Sequence, residues 1–278
     1  MSTKPASKPQ RTYHRALTIA GSDSGGGAGI QADLKTFAAN GCYGLSVITA
    51  LTAQNTMGVS GIHPVPVEFV RQQLRAVLGD IGADAVKVGM LFSVSLIETV
   101  AAALAEFAIA PVVVDPVMVA QSGDRLLEAD AIDTVETQLL PLATVITPNL
   151  PEAQVLLGRT ISGQDELYEA ARDLAQFGCR AVLVKAGHLD GAASTDILYL
   201  ADAKRLVTLE GERIDTRNNH GTGCTLSSAI AAGLAQGLNL EAAARSAKTY
   251  IQRALQAGST YRIGQGHGPV HHFYAFWQ

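Results

Sequence analysis

Short, uniformly apolar runs alternate along this chain with segments whose apolar residues recur at helical spacing, and this alternation restricts the possible folds more than any other feature. The run before Asp115 reads VVV and the run before Lys185 reads AVLV, while Val70, Leu74 and Leu78 fall on one helix face. Strands without polar positions are typical of a parallel sheet that is covered by helices on both faces. The predicted strands cover residues 16–21, 45–50, 85–90, 111–115, 145–147 and 181–185.

One region departs from this alternation. Two strand-like runs, at 197–200 and 205–209, flank a short polar segment, which predicts an antiparallel hairpin near the sheet edge. Two long helices follow, beginning at about Thr222 and about Leu240. The first 15 residues mix Pro, Ser and Lys without periodicity, so we predict a flexible tail (1–15) and a single α/β domain (16–278).

Composition limits the partners of this domain. The 15-residue tail holds four of the 21 basic residues and no acid, which leaves 17 basic and 25 acidic residues for the domain and argues against nucleic-acid binding. No apolar run reaches 18 residues and the first 15 residues lack an apolar signal core, so we expect neither membrane insertion nor export. Cys42, Cys179 and Cys224 are odd in number and widely spaced, which favours reduced thiols in a cytoplasm over disulfides or a zinc site.

A glycine-rich loop follows the first predicted strand, in the sequence GSDSGGGAGIQAD of residues 21–33. Strand, glycines and helix in this order are typical of a ligand loop at the carboxyl edge of an α/β sheet. The loop lacks the GK[ST] of a Walker motif and the spacing of GxGxxG. It therefore indicates either a ligand loop or a plain tight turn.

Two acids and a lysine end or follow other predicted strands. Asp115 follows VVV, Glu152 lies just after the strand at 145–147, and Lys185 ends AVLV. Carboxylates at this edge of the sheet suit Mg²⁺, which binds through one or two carboxylates and substrate phosphates. A turn residue for Asp115, a helix-start acid for Glu152 and a carboxylate partner for Lys185 are the structural alternatives.

The most informative segment is a Gly-Thr-Gly-Cys turn at the start of a helix, residues 221–224. The amides of Gly221, Thr222, Gly223 and Cys224 would form an anion site at the positive end of the helix dipole. The same field is expected to lower the pKa of the Cys224 thiol, although a small packing cysteine is the alternative.

Several segments together resemble the hydroxymethylpyrimidine/phosphomethylpyrimidine kinases of the ribokinase-like superfamily, over roughly residues 16–277. The segments are AGSDSGGGAGIQADLKTF, ITALTAQNT, KVGML, DPVMVAQSGD, TPNLPEA, KAGH, HGTGCTLSSAIAAG and GHGPVHHF. The resemblance implies a ribokinase-like three-layer α/β/α sandwich with a mostly parallel sheet. It also implies transfer of a phosphoryl group from ATP to an aminopyrimidine alcohol and then to its monophosphate, in thiamine biosynthesis, with Mg²⁺, and it allows a homodimer.

The resemblance also assigns roles to individual residues. It implies that Gln54 binds the aminopyrimidine edge, which suits an amide that both donates and accepts. The substrate pocket would be lined by Asp23, Ala28, Met90 and Val117. The catalytic turn would comprise Gly221, Gly223 and Cys224, the phosphate contacts Lys185 and Thr222, and the metal-associated acids Asp115 and Glu152. The chain departs from the family pattern at Gln121, where lysine is common, and at Asn219, where threonine is usual.

Other functions share part of this sequence pattern. A pyridoxal kinase of the same superfamily is the nearest alternative, and a non-catalytic pyrimidine-binding protein is the alternative from another class. A nicotinamide-dependent oxidoreductase is disfavoured because no acid follows the glycines by about 20 residues at a strand end. Adjacent His271 and His272 are expected to pack rather than to chelate a metal, and His188 and His220 lie near the proposed site without a spacing signature.

Overall fold

The structure is a computed structural model that describes residues 11–118, 131–185 and 194–277. Within these residues nine strands form one sheet. They are β1 (Arg15–Asp23), β2 (Tyr43–Asn55), β3 (Gly58–Pro64), β4 (Ala85–Val88), β5 (Val112–Val114), β6 (Val145–Ile146), β7 (Ala181–Val184), β8 (Asp196–Leu200) and β9 (Arg205–Leu209). Their order is β3-β2-β1-β4-β5-β6-β7-β8-β9. The pairs from β2 through β7 are parallel, and the β2–β3, β7–β8 and β8–β9 pairs are antiparallel.

Helices cover both faces of this sheet. They are α1 (Gly29–Ala39), α2 (Val67–Ala76), α3 (Val94–Glu106), the short α4 (Ile132–Thr134), α5 (Leu150–Leu157), α6 (Gln164–Leu174), α7 (Thr222–Ala235) and α8 (Leu240–Gly258). Short π or 3₁₀ turns extend α2 through Val77–Ile81, α4 through Val135–Leu139 and Leu140–Leu142, and α6 through Ala175–Phe177. The three-layer α/β/α architecture with an edge hairpin is thereby confirmed.

The core has two parts, one on each face of the sheet. Within β5, Val112 and Val114 pack with one part while Val113 packs with the other. The first part is completed by residues of α2, α3, α5 and α6, and the second by residues of α1, α7 and α8. Both faces of the central strands are therefore buried, which explains why these strands carry no alternating polar residues.

The strands differ from their predicted bounds mainly at one place. The predicted strand 45–50 extends in both directions to become β2, and it continues into β3 through a tight turn. β3 was not predicted, because its sequence GVSGIHP is largely exposed and shows no alternation. The extension places Gln54 near the end of β2, beyond the carboxyl edge of the parallel strands.

Some of the predicted features lie outside the described residues. Strand β1 already begins at Arg15, whereas residues 1–10 lie outside the described residues, so the tail stays a prediction. Gln121 and His188 also lie outside them. No helix in the described ranges has the length and apolar character that a membrane crossing requires.

Candidate active site

A cleft of about 860 Å³ opens at the carboxyl edge of the parallel strands. Every site residue that the sequence resemblance implied lines this cleft: Asp23, Ala28, Gln54, Met90, Asp115, Val117, Glu152, Lys185, Gly221, Thr222, Gly223 and Cys224. Cys224 and Gln54, which lie 170 positions apart in the sequence, thus share one cavity with the two acids. The cleft follows from the topology, since the loops after successive parallel strands meet at one edge.

The glycine-rich loop is organised around the carboxylate of Asp23. One oxygen, Oδ1, accepts the amide of Gly25 at 2.7 Å, and the other, Oδ2, accepts the amides of Gly27 and Ala28 at 3.0 and 2.8 Å. His220 Nε2 lies 2.9 Å from the same Oδ2. Burial raises the pKa of Asp23, but the hydrogen bonds from His220 and the loop amides outweigh it and lower the pKa overall. Asp23 therefore holds the loop in shape as an ionised carboxylate.

Gln54 and His220 meet above this loop. Gln54 Nε2 lies 3.4 Å from His220 Nε2, and Gln54 Oε1 accepts a hydrogen bond from Thr52 Oγ1 at 3.1 Å. Ser24 Oγ accepts the Gln54 amide at 2.8 Å and donates to the Gln54 carbonyl at the same distance. The backbone of Gln54 is thereby fixed against the glycine-rich loop, and its side chain is held between Thr52 and His220. His220, which the sequence left without an assigned role, connects both.

Lys185 connects the two acids of the cleft. Its Nζ donates to Asp115 Oδ1 at 2.8 Å and lies 4.0 Å from Glu152 Oε2. Thr147 Oγ1 donates to the same Asp115 oxygen at 3.0 Å. Burial raises the pKa of Asp115, yet the charges of Lys185 and Lys87 and these hydrogen bonds lower it overall.

Glu152 has a second local task, because it completes a capping box at the start of α5. Its Oε2 accepts the Asn149 amide at 2.8 Å while its own amide donates to Asn149 Oδ1 at 2.8 Å. Burial and the negative charge of Asp115 raise the pKa of Glu152 to about 7, although Lys185 acts in the opposite direction. When Glu152 is ionised, two carboxylates face one ammonium and the cluster carries a net negative charge.

The Gly-Thr-Gly-Cys turn starts α7, as the sequence predicted. Gly221 has φ +78°, a left-handed conformation that favours glycine, and a Cβ there would overlap the carbonyl oxygen of Gly27. At Gly223 a Cβ would come within 3.2 Å of Lys185 Nζ and 3.6 Å of Asp115 Oδ2. The Thr222 amide turns back to the Asn219 carbonyl at 3.3 Å, so the first-turn amides that suit a ligand are those of Gly223 and Cys224.

Cys224 does not have the lowered pKa that its position at a helix start predicted. Burial raises the pKa of its thiol to about 11, although the charge of Lys87 and the Gly29 amide at the start of α1 act to lower it. The prediction failed because desolvation of the thiolate outweighs the charge of Lys87 and the hydrogen bond from the Gly29 amide. Cys42 and Cys179 are buried packing residues, as expected.

The sequence reasoning missed the part of the cleft that lies along α8. Leu226, Ile251 and Leu255 line it with apolar surface, and Lys248 and Gln252 supply polar groups. Lys248 Nζ donates to Asp196 Oδ2 at 2.8 Å and to the Ser194 carbonyl at 2.7 Å. In the sequence these α8 residues share one helix face with core residues, so periodicity alone could not separate them.

The adjacent C-terminal histidines pack rather than form a metal site. His272 is buried with Nε2 3.0 Å from Thr225 Oγ1, and the His271 ring lies 4.9 Å from the ring of Tyr261. Across the described ranges, no group of three or more His, Cys, Asp or Glu side chains is arranged to hold a metal ion. A metal here would have to rely on one or two protein carboxylates and on oxygens that a substrate brings.

Comparison with known proteins identifies the family. The family model described as phosphomethylpyrimidine kinase matches residues 23–271. The chain belongs to the phosphomethylpyrimidine kinase family. A hydroxymethylpyrimidine/phosphomethylpyrimidine kinase of Rhizobium meliloti is 53% identical over 95% of this chain and 98% of its own length. The Escherichia coli protein of the same name is 48% identical over 94% and 98%.

Solved structures agree with this assignment. The phosphomethylpyrimidine kinase of Clostridium difficile superposes with a TM-score of 0.77 at 43% identity, covering 87% of this chain and 99% of that one. A pyridoxal kinase of Bacillus subtilis in complex with ADP superposes with a TM-score of 0.88 at 39% identity, covering 95% and 99%. The activity of this phosphomethylpyrimidine kinase family member is phosphorylation of hydroxymethylpyrimidine and its monophosphate in thiamine biosynthesis.

Proposed function

We propose that the cleft holds the aminopyrimidine at its Gln54 end and ATP along α8, with the phosphoryl transferred beside the Gly-Thr-Gly-Cys turn. One observation supports this most: Gln54, the Lys185 cluster and the Cys224 turn line a single cavity. Phosphoryl transfer is mostly positioning and charge stabilisation, and these three groups supply recognition, cationic charge and amide donors respectively.

The proposed nucleotide site has an apolar and a polar end. Leu226, Ile251 and Leu255 offer a surface for the adenine ring, and Lys185 lies where the strand β7 ends, next to Gly223. Glycine at 223 leaves room for phosphate oxygens to approach Lys185 and the turn amides together. The γ-phosphate would then point from α8 toward Gln54.

The acids of the cleft fit Mg²⁺ by their chemistry. Asp115 and Glu152 supply only oxygen ligands, and with Lys185 they carry net negative charge that a divalent cation would balance. We propose these two carboxylates as the residues that hold Mg²⁺, which when bound would neutralise charge on the ATP phosphates.

We propose Cys224 as the proton acceptor beside the substrate hydroxyl. Its thiolate takes the hydroxyl proton while the alcohol oxygen bonds to the γ-phosphorus and the bond from that phosphorus to the β–γ bridging oxygen breaks, releasing ADP. Because the thiol pKa is about 11, only a small thiolate fraction is present at neutral pH. The chemical rate should therefore rise with pH from 6 to 9.

Cys224→Ala and Cys224→Ser, assayed by single-turnover kinetics across that pH range, test this role. Loss of the rising pH dependence in both variants, with a residual rate from the anion site, is the expected result. A wild-type rate that is flat with pH, or an alanine variant that keeps the rise, would remove the base role and leave only the amide site.

Pyridoxal phosphorylation is the second candidate, because pyridoxal kinases superpose closely on this chain. Product analysis by mass spectrometry with 4-amino-5-hydroxymethyl-2-methylpyrimidine, ATP and Mg²⁺, and in parallel with pyridoxal, separates the two. We expect monophosphate and then diphosphate from the pyrimidine. Gln54→Leu should lower kcat/KM for the pyrimidine by about 10²-fold, since the buried amine of the substrate loses its hydrogen-bond partner, and affect pyridoxal less. Equal losses for both acceptors would contradict recognition by Gln54.

We also propose a homodimer formed through the edge of the sheet. Strand β3 lies at one edge, and the β2–β3 hairpin exposes Leu51, Met57 and Ile62 to solvent. An apolar edge of this kind is usually covered by another chain. Light scattering of the wild type and of Ile62→Lys tests it, and a monomeric mass for the wild type would contradict it.

A further inference from the structure

The C-terminal motif GHGPVHHF has no part in the function proposed so far, yet its first residues contact the turn between β2 and β3. The amides of Gln265 and Gly266 both donate to Thr56 Oγ1 at 3.2 Å. The amide of His267 donates to the Thr56 carbonyl at 2.9 Å. Thr56 is thus held by three backbone donors of one segment, residues 264–269, which we call the clasp.

The other side of the clasp contacts the segment that leads into the Gly-Thr-Gly-Cys turn. His267 Nδ1 lies 3.0 Å from Asn219 Oδ1, and the His220 amide donates to the Gly268 carbonyl at 3.0 Å. A parallel bridge pairs His220 with Pro269. Six residues therefore touch both the hairpin that carries Gln54 and the turn that carries Cys224.

The alternating glycines of the clasp, GQGHG, have a steric reason. A Cβ at Gly266 would overlap the Thr56 carbonyl oxygen, and a Cβ at Gly268 would overlap Asn218 Oδ1. Both positions lack the positive φ that would itself favour glycine, so close backbone approach is the reason for glycine there. Asn218 in turn donates to the carbonyls of Gly258 and Tyr261, which anchors this side at the end of α8.

The two contacted segments are the ones whose separation matters for the reaction. Thr56 lies two residues beyond Gln54, and Asn219 and His220 directly precede Gly221. His220 also lies within 3.4 Å of the Gln54 side chain and 2.9 Å of Asp23. A shift of about 1 Å between a substrate-binding group and the reacting centre can cost on the order of 10²-fold in rate.

We infer that the clasp is a positioning element that fixes the pyrimidine-binding hairpin at a set distance from the phosphoryl-transfer turn. Thr56, Gly266 and Gly268 act through Gln54 and the turn and touch no substrate themselves. The inference rests on the proposed placement of the pyrimidine at Gln54.

Gly266→Ala and Thr56→Val test the clasp, with Thr56→Ser as the conservative rescue. Gly163→Ala is the matched control, because a Cβ at Gly163 meets nothing within 4 Å and its φ is −150°. We expect Gly266→Ala and Thr56→Val to raise the KM for the aminopyrimidine about tenfold while the KM for ATP changes less than twofold. Thr56→Ser and Gly163→Ala should stay within twofold of the wild type for both substrates.

Equal rises of both KM values, or a lowered melting temperature with neither KM changed, would overturn the inference. Amide hydrogen exchange of the substrate-free variants keeps this test separate from the proposed function. Faster exchange at both 55–59 and 218–221 in Gly266→Ala, and not in Gly163→Ala, is expected even if the wild type fails to phosphorylate the pyrimidine. Unchanged exchange at either segment would overturn the clasp regardless of the substrate.

Discussion

Two lysine–carboxylate clusters border the cleft, and they differ in how far solvent reaches their side chains. Lys87 on β4 and Asp33 on α1 are both fully buried, and Lys87 Nζ lies 3.1 and 3.0 Å from the two Asp33 oxygens. Thr18 and Ser228 hydroxyls donate to the same two oxygens at 2.6 Å. The Asp33 carboxylate thus accepts hydrogen bonds from strands β1 and β4 and from helix α7.

The second cluster is open and unbalanced. Lys185 keeps 15% of its side chain exposed and faces two carboxylates, Asp115 and Glu152, rather than one. The comparison teaches that the same residue types serve the fold when their charges match and solvent is excluded. They remain available to a ligand when their charges do not balance and part of a side chain stays exposed.

The largest expected effect comes from the open cluster. Lys185→Met should lower kcat/KM by about 10²- to 10³-fold, because it removes the cation that we propose as a contact of the transferred phosphoryl group. Melting temperature should change less than in the Lys87 variant described next. Steady-state kinetics and thermal melts on one preparation measure both. Near-normal turnover of Lys185→Met would contradict a role of the open cluster in activity.

The closed cluster should instead control stability. Lys87→Met leaves Asp33 charged and buried without its ion partner, which should cost about 3–5 kcal/mol of the free energy of unfolding. The double variant Lys87→Met/Asp33→Leu removes both charges and should recover part of that loss. Urea unfolding measures these values. No recovery in the double variant would show that the pair does more than balance charge.

A smaller effect is expected from His272, another ionisable group away from solvent. Burial, together with the charges of Lys35 and His271, lowers its pKa to about 3. As pH falls below about 6.5, the unfolded chain binds a proton at this residue and the folded chain does not, so stability is lost between pH 6.5 and 3. This single group should contribute up to about 1.4 kcal/mol per pH unit to that loss.

His272→Gln should make the decline of the unfolding free energy with falling pH shallower. His63→Gln is the control, because His63 lies on the exposed strand β3. Equal slopes for His272→Gln and the wild type between pH 6 and 4 would contradict the role of this histidine. Turnover at pH 8 should be little affected. His272, like Lys87, is therefore expected to contribute mainly to stability.

The sequence was sufficient for the layers of the fold and for the cleft residues at the ends of the parallel strands, for identifiable reasons. Uniformly apolar strands such as β5 and β7 can be recognised in the sequence, because burial on both faces leaves no polar position. Residues at the ends of such strands, among them Asp115 and Lys185, are brought together by topology alone. Their convergence is therefore predictable without knowing any distance.

The rest depended on partners that are distant in sequence. Asp33 and Lys87 are 54 positions apart, and the 85–90 run gives no sign that its lysine points into the protein. The strand β3 shows no period because most of it faces solvent. The shift of the Cys224 thiol pKa was predicted in the wrong direction. The helix start can be read from the sequence, whereas the desolvation of the thiol depends on the packed structure.

The carboxylate of Asp23 has a consequence for the orientation in which the proposed substrates bind. Two glycine-rich turns line the cavity, and the amides of Gly25, Gly27 and Ala28 in the first of them already donate to a carboxylate of the same chain. A phosphate is therefore expected to bind at the Gly223 and Cys224 amides of the other turn, where no carboxylate of the described residues occupies the donors. Asp23 thus gives the two turns different charge, which should restrict the proposed substrates to one orientation.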